Sequence, residues 1–327
     1  LHRYYQLEFQ SPVYNLMDLI SEIKTLPQVE NVEFNFKMEA FLVPNDNYYS
    51  DQWALNNTGQ AVSYNGNSVG TPGCDVDAER AWNVTTGNPN VVIAILDTGI
   101  DLDHPDLASE LVGGYDFVDN DTNANDGNMH GTACGSIAAG TTNNGIGVAG
   151  VCWDCSLMPV KVLSDQGFGD FSDIINGVIW ASDNGANVIS MSLGGGGYQS
   201  SFDNAVTYAN DNGTIVIAAS GNDNGSISYP AAYEDCVSVG AMSPCNERKS
   251  PSSCDGENFW GSNYGNGLDF VAPGVRIHSA TIGGYTSTFN GTSSACPHAA
   301  GVAGLIYSMA PDLAPEDVRA AMHATCV

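Results

Sequence analysis

The chain contains several short, continuously apolar runs that are rich in β-branched residues. The clearest run, Val-Val-Ile-Ala-Ile-Leu, occupies 91–96, and similar runs lie at 157–163, 187–192 and 214–219. A strand with one solvent-exposed face alternates apolar and polar residues, whereas a continuous apolar run is typical of a parallel strand buried on both faces. The pattern therefore predicts the central strands of a parallel sheet.

Stretches that are typical of helices lie between or after these runs, at 130–139, 171–184, 202–212 and 293–309. The alternation of strand and helix predicts an α/β fold, in which a doubly wound, mostly parallel sheet is flanked by helices. Ligands bind such sheets beyond the carboxyl ends of the strands. Polar side chains at those ends are therefore the first candidates for function.

The first 44 residues follow a different pattern. Their apolar positions predict a strand at 4–9, a helix at 13–25 and a strand at 29–36. A segment of about 40 residues is marginal for independent folding. We therefore expect a partial α+β segment at 1–44 that packs on a larger domain at 45–327.

The charge balance excludes some classes of partner. The chain has 9 Lys and Arg residues against 37 Asp and Glu residues, which gives a formal net charge of −28. Nucleic acids and anionic membrane surfaces bind basic surfaces, so neither is an expected partner. The sequence also lacks an apolar run of about 18 residues, and no membrane span is expected.

The nine Cys residues indicate an oxidising compartment, so we expect a secreted protein. No leader peptide is recognisable, and we expect a mature, trimmed or partial chain. Cys245 and Cys254 flank a polar insertion that we expect them to close. Cys152 and Cys155 could form a redox motif or half of a zinc site, but a structural bridge or two free thiols are favoured by their place before a strand.

Three segments place reactive side chains at the ends of predicted elements. Asp97 follows the run at 91–96, His130 opens a helix, and Ser293 begins another helix near its free N–H groups, with Pro297 expected in the first turn. A Ser hydroxyl needs a base, which a neutral His oriented by a buried Asp provides. These residue types together predict nucleophilic acyl transfer.

Acyl transfer also needs hydrogen-bond donors that face the developing oxyanion. Asn222 follows the apolar run at 214–219 and offers its side-chain amide, and the backbone N–H of Ser293 is the second candidate donor. A simple turn role is the alternative for Asn222, but its position after a strand favours the oxyanion role.

These residues resemble those of the subtilisin-like serine proteases, the subtilases. The order Asp97, His130, Ser293 is the family's order, and the Asp-Thr-Gly, His-Gly-Thr and Gly-Thr-Ser-x-Ala-x-Pro boxes match, as do 192–195 (Ser-Leu-Gly-Gly) and 221–222 (Gly-Asn). Thermitase-like members are the most similar, from the segments 44–49, 115–121 and 229–233. The resemblance covers about residues 45–327. It implies a serine endopeptidase with an acyl-enzyme on Ser293, His130 as general base and acid, and Asp97 orienting it.

The resemblance also implies how a polypeptide substrate would bind. Its backbone would pair as an extra strand with residues 192–195 and about 167–171. Small, uncharged residues at 218–221 and 228–231 would line S1, which implies broad specificity with an apolar P1 residue. Phe171 and Leu193 would shape S4, with helix packing as the alternative for Phe171. The expected substrate-binding residues are Ser192, Leu193, Gly194, Gly169, Phe171, Ser220, Gly221, Ser228 and Ala231.

Clustered carboxylates suggest structural calcium, because Ca²⁺ prefers hard oxygen ligands. One loop before His130 carries the acidic residues Asp116, Asp119, Asp121 and Asp126, of which the resemblance favours Asp116 and Asp121 as ligands. A second implied site uses Asp46, Asp106 and the loop at 143–148 with Asn144. Solvated acidic loops without metal are the alternative.

The leading segment resembles the later half of a subtilase propeptide, with its final strand near 29–33. It would act as an intramolecular inhibitor and be cut between Lys37 and Asn45. We expect a monomer. A peptide ligase on the same scaffold and an inactive peptide-binding module are the alternatives, and the intact set of Asp97, His130, Ser293 and Asn222 argues against the second.

Overall fold

The computed structural model of the protein describes residues 16–32, 42–62 and 70–326. The chain divides into two compact units, Leu1–Phe41 and Leu42–Val327. In the first unit, the predicted helix is present as α1 (Leu16–Lys24). The strand predicted at 4–9 lies outside the described residues. Of the strand predicted at 29–36, only 29–32 are described, and these four residues form no regular element.

The second unit alternates strands and helices along its sequence. Its strands are β1 (Val92–Asp97), β2 (Tyr115–Asp116), β3 (Ser156–Lys161), β4 (Val188–Met191), β5 (Ile215–Ala219), β6 (Cys236–Ser243), β7 (Glu247–Arg248), β8 (Phe270–Pro273), β9 (Ile277–Thr281) and β10 (Gly284–Phe289). Its helices are α2 (Ala78–Trp82), α3 (His130–Ala139), α4 (Phe171–Asp183), α5 (Ser200–Asp211), α6 (Thr292–Met309) and α7 (Pro315–Thr325), with a 3₁₀ turn at Tyr49–Asp51.

The strands form an eight-stranded sheet in the order β2-β3-β1-β4-β5-β6-β7, with β8 also paired to β6. All neighbouring pairs are parallel except β6 and β7. A separate antiparallel hairpin consists of β9 and β10. The predicted fold class, a mostly parallel doubly wound sheet flanked by helices, is confirmed.

Strand β1 shows why its sequence is continuously apolar. Ile93 and Ile95 pack in a cluster with α3, α6 and α7, whereas Ala94 and Leu96 pack in a second cluster with α4 and α5. Successive side chains of a strand point to opposite faces, so both faces of β1 are covered. Each fully buried Ile or Leu stabilises the fold by roughly 2 kcal/mol.

Small residues let α6 lie close to the segment that carries α3. A Cβ at Gly301 would lie 2.5 Å from Val151 Cβ and 2.8 Å from the carbonyl oxygen of Ala138. Contacts that short are prohibitive, so only glycine permits this approach. The close packing brings the N-termini of α3 and α6 to the same edge of the sheet, where β1 ends.

Two disulfides are present, Cys152–Cys155 and Cys245–Cys254. The predicted closure of the polar insertion by Cys245 and Cys254 is therefore confirmed, and the first pair is a bridge rather than two free thiols. Four of the remaining Cys residues are buried thiols, and Cys326 is an exposed one. Within the described part of the chain, none of the helices combines the length and apolar character that crossing a bilayer requires.

Candidate active site

Strand β1 delivers Asp97 into a fully buried position at its carboxyl end. Its Oδ1 accepts hydrogen bonds from His130 Nδ1 at 2.7 Å and from the backbone N–H of Thr98 at 2.8 Å. Its Oδ2 is buried and has no hydrogen-bond partner among the described residues. His130 is therefore bound to Asp97 through one carboxylate oxygen. Because that oxygen accepts a hydrogen bond from Nδ1, the neutral imidazole carries its proton on Nδ1, and Nε2 is free to accept one.

His130 is the first residue of α3, and a second buried carboxylate holds this helix start in place. Asp126 accepts hydrogen bonds from five donors: Thr98 Oγ1, the backbone N–H groups of Asn128, Met129 and Thr132, and Thr132 Oγ1. It satisfies otherwise unpaired N–H groups of the first turn and interacts favourably with the helix dipole.

Asp126 therefore has a different role from its neighbours in the acidic loop. The sequence places it beside Asp116, Asp119 and Asp121 as one more oxygen ligand, but five hydrogen bonds occupy its carboxylate. Through Thr98, whose hydroxyl also accepts from Gly131 N at 3.0 Å, it ties the end of β1 to the start of α3. The N-cap position of α3 is Met129, so no standard capping pattern in the sequence marks Asp126.

Burial and charge act in opposite directions on the pKa of His130. Burial lowers the pKa of the imidazole, but the Asp97 carboxylate and its hydrogen bond raise it more, and the net pKa lies well above the usual 6.5. A carboxylate at 2.7 Å stabilises the imidazolium that forms when His130 accepts a proton. His130 is thus a stronger base than a solvated histidine.

Ser293 is the second residue of α6. Its Oγ donates to the carbonyl oxygen of Ser192 at 3.3 Å, and its own carbonyl oxygen accepts from Ser192 Oγ at 2.8 Å and from Cys134 Sγ at 3.5 Å. Pro297 is the sixth residue of α6 rather than part of its first turn, so the first-turn prediction is wrong. Because proline has no N–H, it cannot bond the carbonyl of Ser293 four residues earlier, and that oxygen is left for Ser192 and Cys134.

Thr292 orients the amide of Asn222. The backbone N–H and the hydroxyl of Thr292 both donate to Asn222 Oδ1, at 2.8 and 3.1 Å, and Thr292 Oγ1 accepts from Gly221 N at 3.1 Å. With its oxygen held in this way, the amide has Nδ2 as its donor. A Cβ at Gly291 would lie 3.3 Å from Asn222 Nδ2 and 3.5 Å from Ser293 N, so both donors border the same small space. The sequence identified Asn222 but not Thr292.

A cleft of about 440 Å³ lies beside His130. Of the residues expected to bind substrate, it is lined by Gly169, Phe171, Ser192, Leu193 and Gly194. Phe171 is 39% exposed and also meets Phe202 edge-on at 6.2 Å, so it both packs and lines the cleft. The cleft is also lined by Phe168, Tyr229 and Pro230, which fall within the predicted segments 167–171 and 228–231, and Phe168 is 78% exposed. The lining residues that the sequence missed include Asn128, Leu163, Ile174 and Phe202.

Of the residues expected around S1, Ser220, Gly221 and Ser228 lie together beside Gly194, whereas Ala231 lines a separate pocket. Ser228 N donates to the carbonyl oxygen of Ser220 at 2.9 Å, and a Cβ at Gly221 would lie 2.8 Å from Ser228 Oγ. A Cβ at Gly194 would lie 3.6 Å from Ser228 Cβ, which places Gly194 opposite. Ala231 is almost fully buried.

Asp46, Asp106 and Asn144, which the sequence assigns to one cation site, lie near one another, and the side-chain oxygen of Asn144 accepts from Ile146 N at 2.9 Å. Asp46 Oδ2 accepts from Asn143 N at 2.7 Å, and Asp106 accepts from Asn144 Nδ2 at 2.7 Å and from Val148 N at 2.8 Å. Burial raises the pKa of both carboxyls, and the charge of Asp46 raises that of Asp106 further. Asp46 Oδ1 is buried and has no hydrogen-bond partner among the described residues.

The acidic loop is arranged differently. Asp116 is buried, and its Oδ1 accepts from the backbone N–H groups of Val118 at 2.7 Å and Asp119 at 3.0 Å. The backbones of Asp116 and Asp121 bond each other at 2.9 and 3.0 Å, which brings these two residues together. Asp119 and Asp121 are exposed.

Known proteins resemble this chain in sequence over most of its length. The model of the subtilase family matches residues 88–326. The chain belongs to the subtilase family. This subtilase is 40% identical over 251 residues to thermitase from Thermoactinomyces vulgaris, covering 76% of the chain and 85% of thermitase. It is a serine endopeptidase, and its resemblance to thermitase-like members is confirmed.

Two further relatives extend the comparison. The subtilase is 41% identical over 308 residues to the halolysin-like extracellular serine protease Nep of Natrialba magadii, covering 91% of the chain and about half of Nep (52%). A solved structure of a protease from Pseudoalteromonas arctica PAMC 21717 superposes with a TM-score of 0.73 at 31% identity, covering 88% of the chain and 93% of that structure.

The raised pKa of His130 predicts the pH dependence of this subtilase. Protonated His130 cannot accept the proton of Ser293, so kcat/KM should be low below the raised pKa and increase as the pH rises through it. The acid limb of the kcat/KM profile of the free enzyme should therefore lie above pH 6.5. In the Asp97→Asn variant, which lacks the carboxylate, the limb should move to lower pH and the rate should fall. A wild-type limb at or below pH 6.5 would contradict this assignment.

Proposed function

We propose that this subtilase is a secreted endopeptidase that hydrolyses peptide bonds through an acyl-enzyme on Ser293. The observation that carries the proposal is the hydrogen bond of 2.7 Å between His130 and the buried Asp97, at the sheet edge where Ser293 begins α6. Cys134 Sγ lies 4.0 Å from His130 Nδ1 and 3.5 Å from the carbonyl oxygen of Ser293, which supports the view that base, orienting carboxylate and helix-start nucleophile act together.

The proposed reaction begins with a rotation of the Ser293 hydroxyl. Its Oγ leaves the carbonyl of Ser192 and donates to His130 Nε2, which removes the proton as Oγ attacks the scissile carbonyl carbon. His130 then gives that proton to the departing amine, and the acyl group remains on Ser293. His130 then takes a proton from water as the water oxygen attacks the ester, and it gives that proton to Ser293 Oγ as the second product leaves. Asp97 stays ionised and stabilises the imidazolium in both steps.

The tetrahedral oxyanion would be held by Asn222 Nδ2 and the backbone N–H of Ser293. Support comes from Thr292, which holds Asn222 Oδ1 with two hydrogen bonds before substrate arrives. A donor that is already oriented needs no reorganisation during the reaction, which is the main source of oxyanion stabilisation.

A polypeptide substrate would lie in the cleft as an added strand. The segments at 192–195 and 167–171 flank the cleft, and their glycines allow close backbone approach. Ser220, Gly221, Ser228 and Ala231 would enclose the P1 side chain. Because these residues are small and uncharged, an apolar P1 residue is favoured and specificity is otherwise broad.

Calcium is the proposed structural cofactor. Asp46, Asp106 and Asn144 fit a hard cation, because two buried carboxylates lie close together and one of their oxygens, Asp46 Oδ1, has no hydrogen-bond partner among the described residues. Asp116 and Asp121, with Asp119 beside them, are the proposed second site. When bound, calcium would neutralise the buried carboxylates and hold these loops folded.

Secretion and processing complete the proposal. The two disulfides support an oxidising, extracellular location. Residues 1–44 would be an inhibitory propeptide that the enzyme cuts from itself, and residues 45–327 would be the catalytic domain. A monomer would suffice, because the triad, the oxyanion donors and the cleft come from one chain.

Substitution of Ser293 provides the decisive test. We expect the wild-type protein to hydrolyse a chromogenic peptide and to be labelled on Ser293 by a fluorophosphonate, whereas Ser293→Ala does neither. The Ser293→Ala chain should also stay uncut between Lys37 and Asn45, which N-terminal sequencing will show. Asn222→Ala should still be labelled but lose about 10²–10³ in kcat, which is the loss known for this donor in subtilisin itself.

The same assays separate the alternatives. Wild-type protein with neither turnover nor labelling would indicate a peptide-binding module instead of an enzyme. If an added amine became joined to the acyl product in preference to water, the protein would be a ligase.

The proposed S1 pocket predicts the ranking of substrates. In a series of peptides that differ only at P1, apolar residues should give the highest kcat/KM and Asp and Glu the lowest. A buried P1 carboxylate would meet no compensating charge from Ser220, Gly221, Ser228 or Ala231, and the protein's net charge of −28 also repels it. A series in which acidic P1 residues rank first would reject this pocket.

Calcium should stabilise the folded state by binding to it alone. In the Ser293→Ala background, which prevents autolysis, CaCl₂ should raise the unfolding midpoint relative to chelator. Asp106→Asn should remove most of that shift, whereas Asp103→Asn, a change of a nearby exposed carboxylate, should retain it. An unfolding midpoint that chelator leaves unchanged would argue against both sites.

A further inference from the structure

The polar insertion at 245–262, closed by Cys245–Cys254, has a charged centre that solvent does not reach. The side chains of Lys249 and Asp255 are both 0% exposed and form an ion pair with a distance of 3.0 Å. Lys249 Nζ also donates to the carbonyl oxygen of Glu257 at 2.5 Å, and Glu257 N donates to Asp255 Oδ1 at 2.9 Å. A buried pair with these additional hydrogen bonds gives the insertion a defined conformation around Glu257.

Glu257 connects this insertion to the loop that carries the nucleophile. Its side chain is 1% exposed. Its Oε2 accepts from Asn290 Nδ2 at 2.8 Å and from Trp260 Nε1 at 2.9 Å, and its Oε1 accepts from Arg276 Nη1 at 3.4 Å. Charge-assisted hydrogen bonds in a dry site are among the stronger polar contacts in proteins. The carboxylate therefore fixes the position of the Asn290 side chain.

Asn290 immediately precedes the turn into α6. Its Oδ1 accepts from Arg276 N at 2.5 Å, so both ends of its amide are held. The next residue, Gly291, has a φ of +114°, and after it Thr292 N donates to Asn222 Oδ1. A displacement of Asn290 would therefore move the entry of α6 and, with it, both oxyanion donors.

The insertion also contacts the other half of the oxyanion hole. Gly261 N donates to the carbonyl oxygen of Asn222 at 3.3 Å, and Arg248 Nη1 donates to Asn224 Oδ1 at 2.9 Å. The insertion thus contacts the loop after β5, which carries Asn222. Through Glu257 it also contacts the loop before Ser293. These two loops supply the two donors that must converge on one oxygen.

We propose that Glu257 is a positioning residue that, through Asn290, sets the nucleophile loop relative to Asn222. This inference rests on the proposed roles of Ser293 and Asn222. Because the oxyanion exists only in the transition state, loss of this alignment should lower kcat and leave KM nearly unchanged. A residue that only stabilised the fold would lower the unfolding midpoint without changing kcat per active site.

The test is a pair of single substitutions and their combination. Glu257→Gln removes the charge and leaves one acceptor oxygen for the donors of Asn290, Trp260 and Arg276, and Asn290→Asp places a carboxylate against that of Glu257. The double variant restores a donor and an acceptor with the direction of the hydrogen bond reversed. Glu247→Gln is the matched control, because Glu247 lies in the same insertion and accepts from Cys254 N, at 2.8 Å.

We expect each single variant to lose about tenfold or more in kcat per fluorophosphonate-titrated site, with KM within about twofold of wild type. The double variant should regain most of the lost kcat, since a non-additive recovery is the signature of a direct contact. Glu247→Gln should keep wild-type kcat. If Glu257→Gln does not fold, Asn290→Asp and the double variant still test the recovery.

Two outcomes would overturn the proposal. One is single variants whose kcat per titrated site equals that of wild type. The other is a double variant whose loss is the product of the two single losses. If the wild-type protein itself is not labelled on Ser293, the proposed function is wrong. If the wild type is labelled but the Glu257 and Asn290 variants keep its kcat per titrated site, only the positioning role is wrong.

Discussion

The carboxylate of Asp97 ends a strand that is buried on both faces, and much of the site follows from this placement. An ionised group in such a position is unstable unless hydrogen bonds replace water. One of the two donors to Asp97 Oδ1 is His130 Nδ1, so the contact that satisfies the buried charge also orients the imidazole and raises its pKa. The five hydrogen bonds of Asp126 then hold the first turn of α3, and with it His130, in place.

The sequence predicted the parts of this site that have local patterns. Continuous apolar runs predicted the parallel strands, and Asp97, His130 and Ser293 each lie at the end or start of an element. The calcium hypothesis treated Asp126 like its acidic neighbours, because a sequence shows where carboxylates are but not which donors reach them. Thr292 was missed for a related reason, since its function depends on Asn222, 70 residues away in the chain.

The insertion at 245–262 shows where sequence reasoning stopped. Its Cys residues predicted a closed loop, but its polar composition did not indicate which of its side chains are buried. Lys249 and Asp255 are completely buried, because each satisfies the other and because backbone groups and the Ser253 hydroxyl supply their remaining hydrogen bonds. Polar residues that bury themselves as a pair produce no hydrophobic pattern. The link from Glu257 to Asn290 joins residues 33 apart in the chain, so no local sequence pattern predicts it.

The acidity of the chain is not confined to its surface. Buried acidic residues include Asp46, Asp97, Asp106, Asp116, Asp126, Asp255 and Glu257, whereas the buried Lys residues among those described are Lys161 and Lys249. Asp255 and Glu257 have cationic partners, and Asp126 has five neutral donors. Asp46 and Asp106 accept hydrogen bonds from neutral donors, but Asp46 Oδ1 has no hydrogen-bond partner among the described residues, and each carboxylate is near the other's charge. A divalent cation would resolve this repulsion where hydrogen bonds do not, because it adds opposite charge as well as coordination. Cationic side chains stabilise Asp255 and Glu257, and neutral donors stabilise Asp126. The pair of Asp46 and Asp106, in which mutual repulsion adds to an oxygen without a partner among the described residues, is therefore the place where we propose a metal ion.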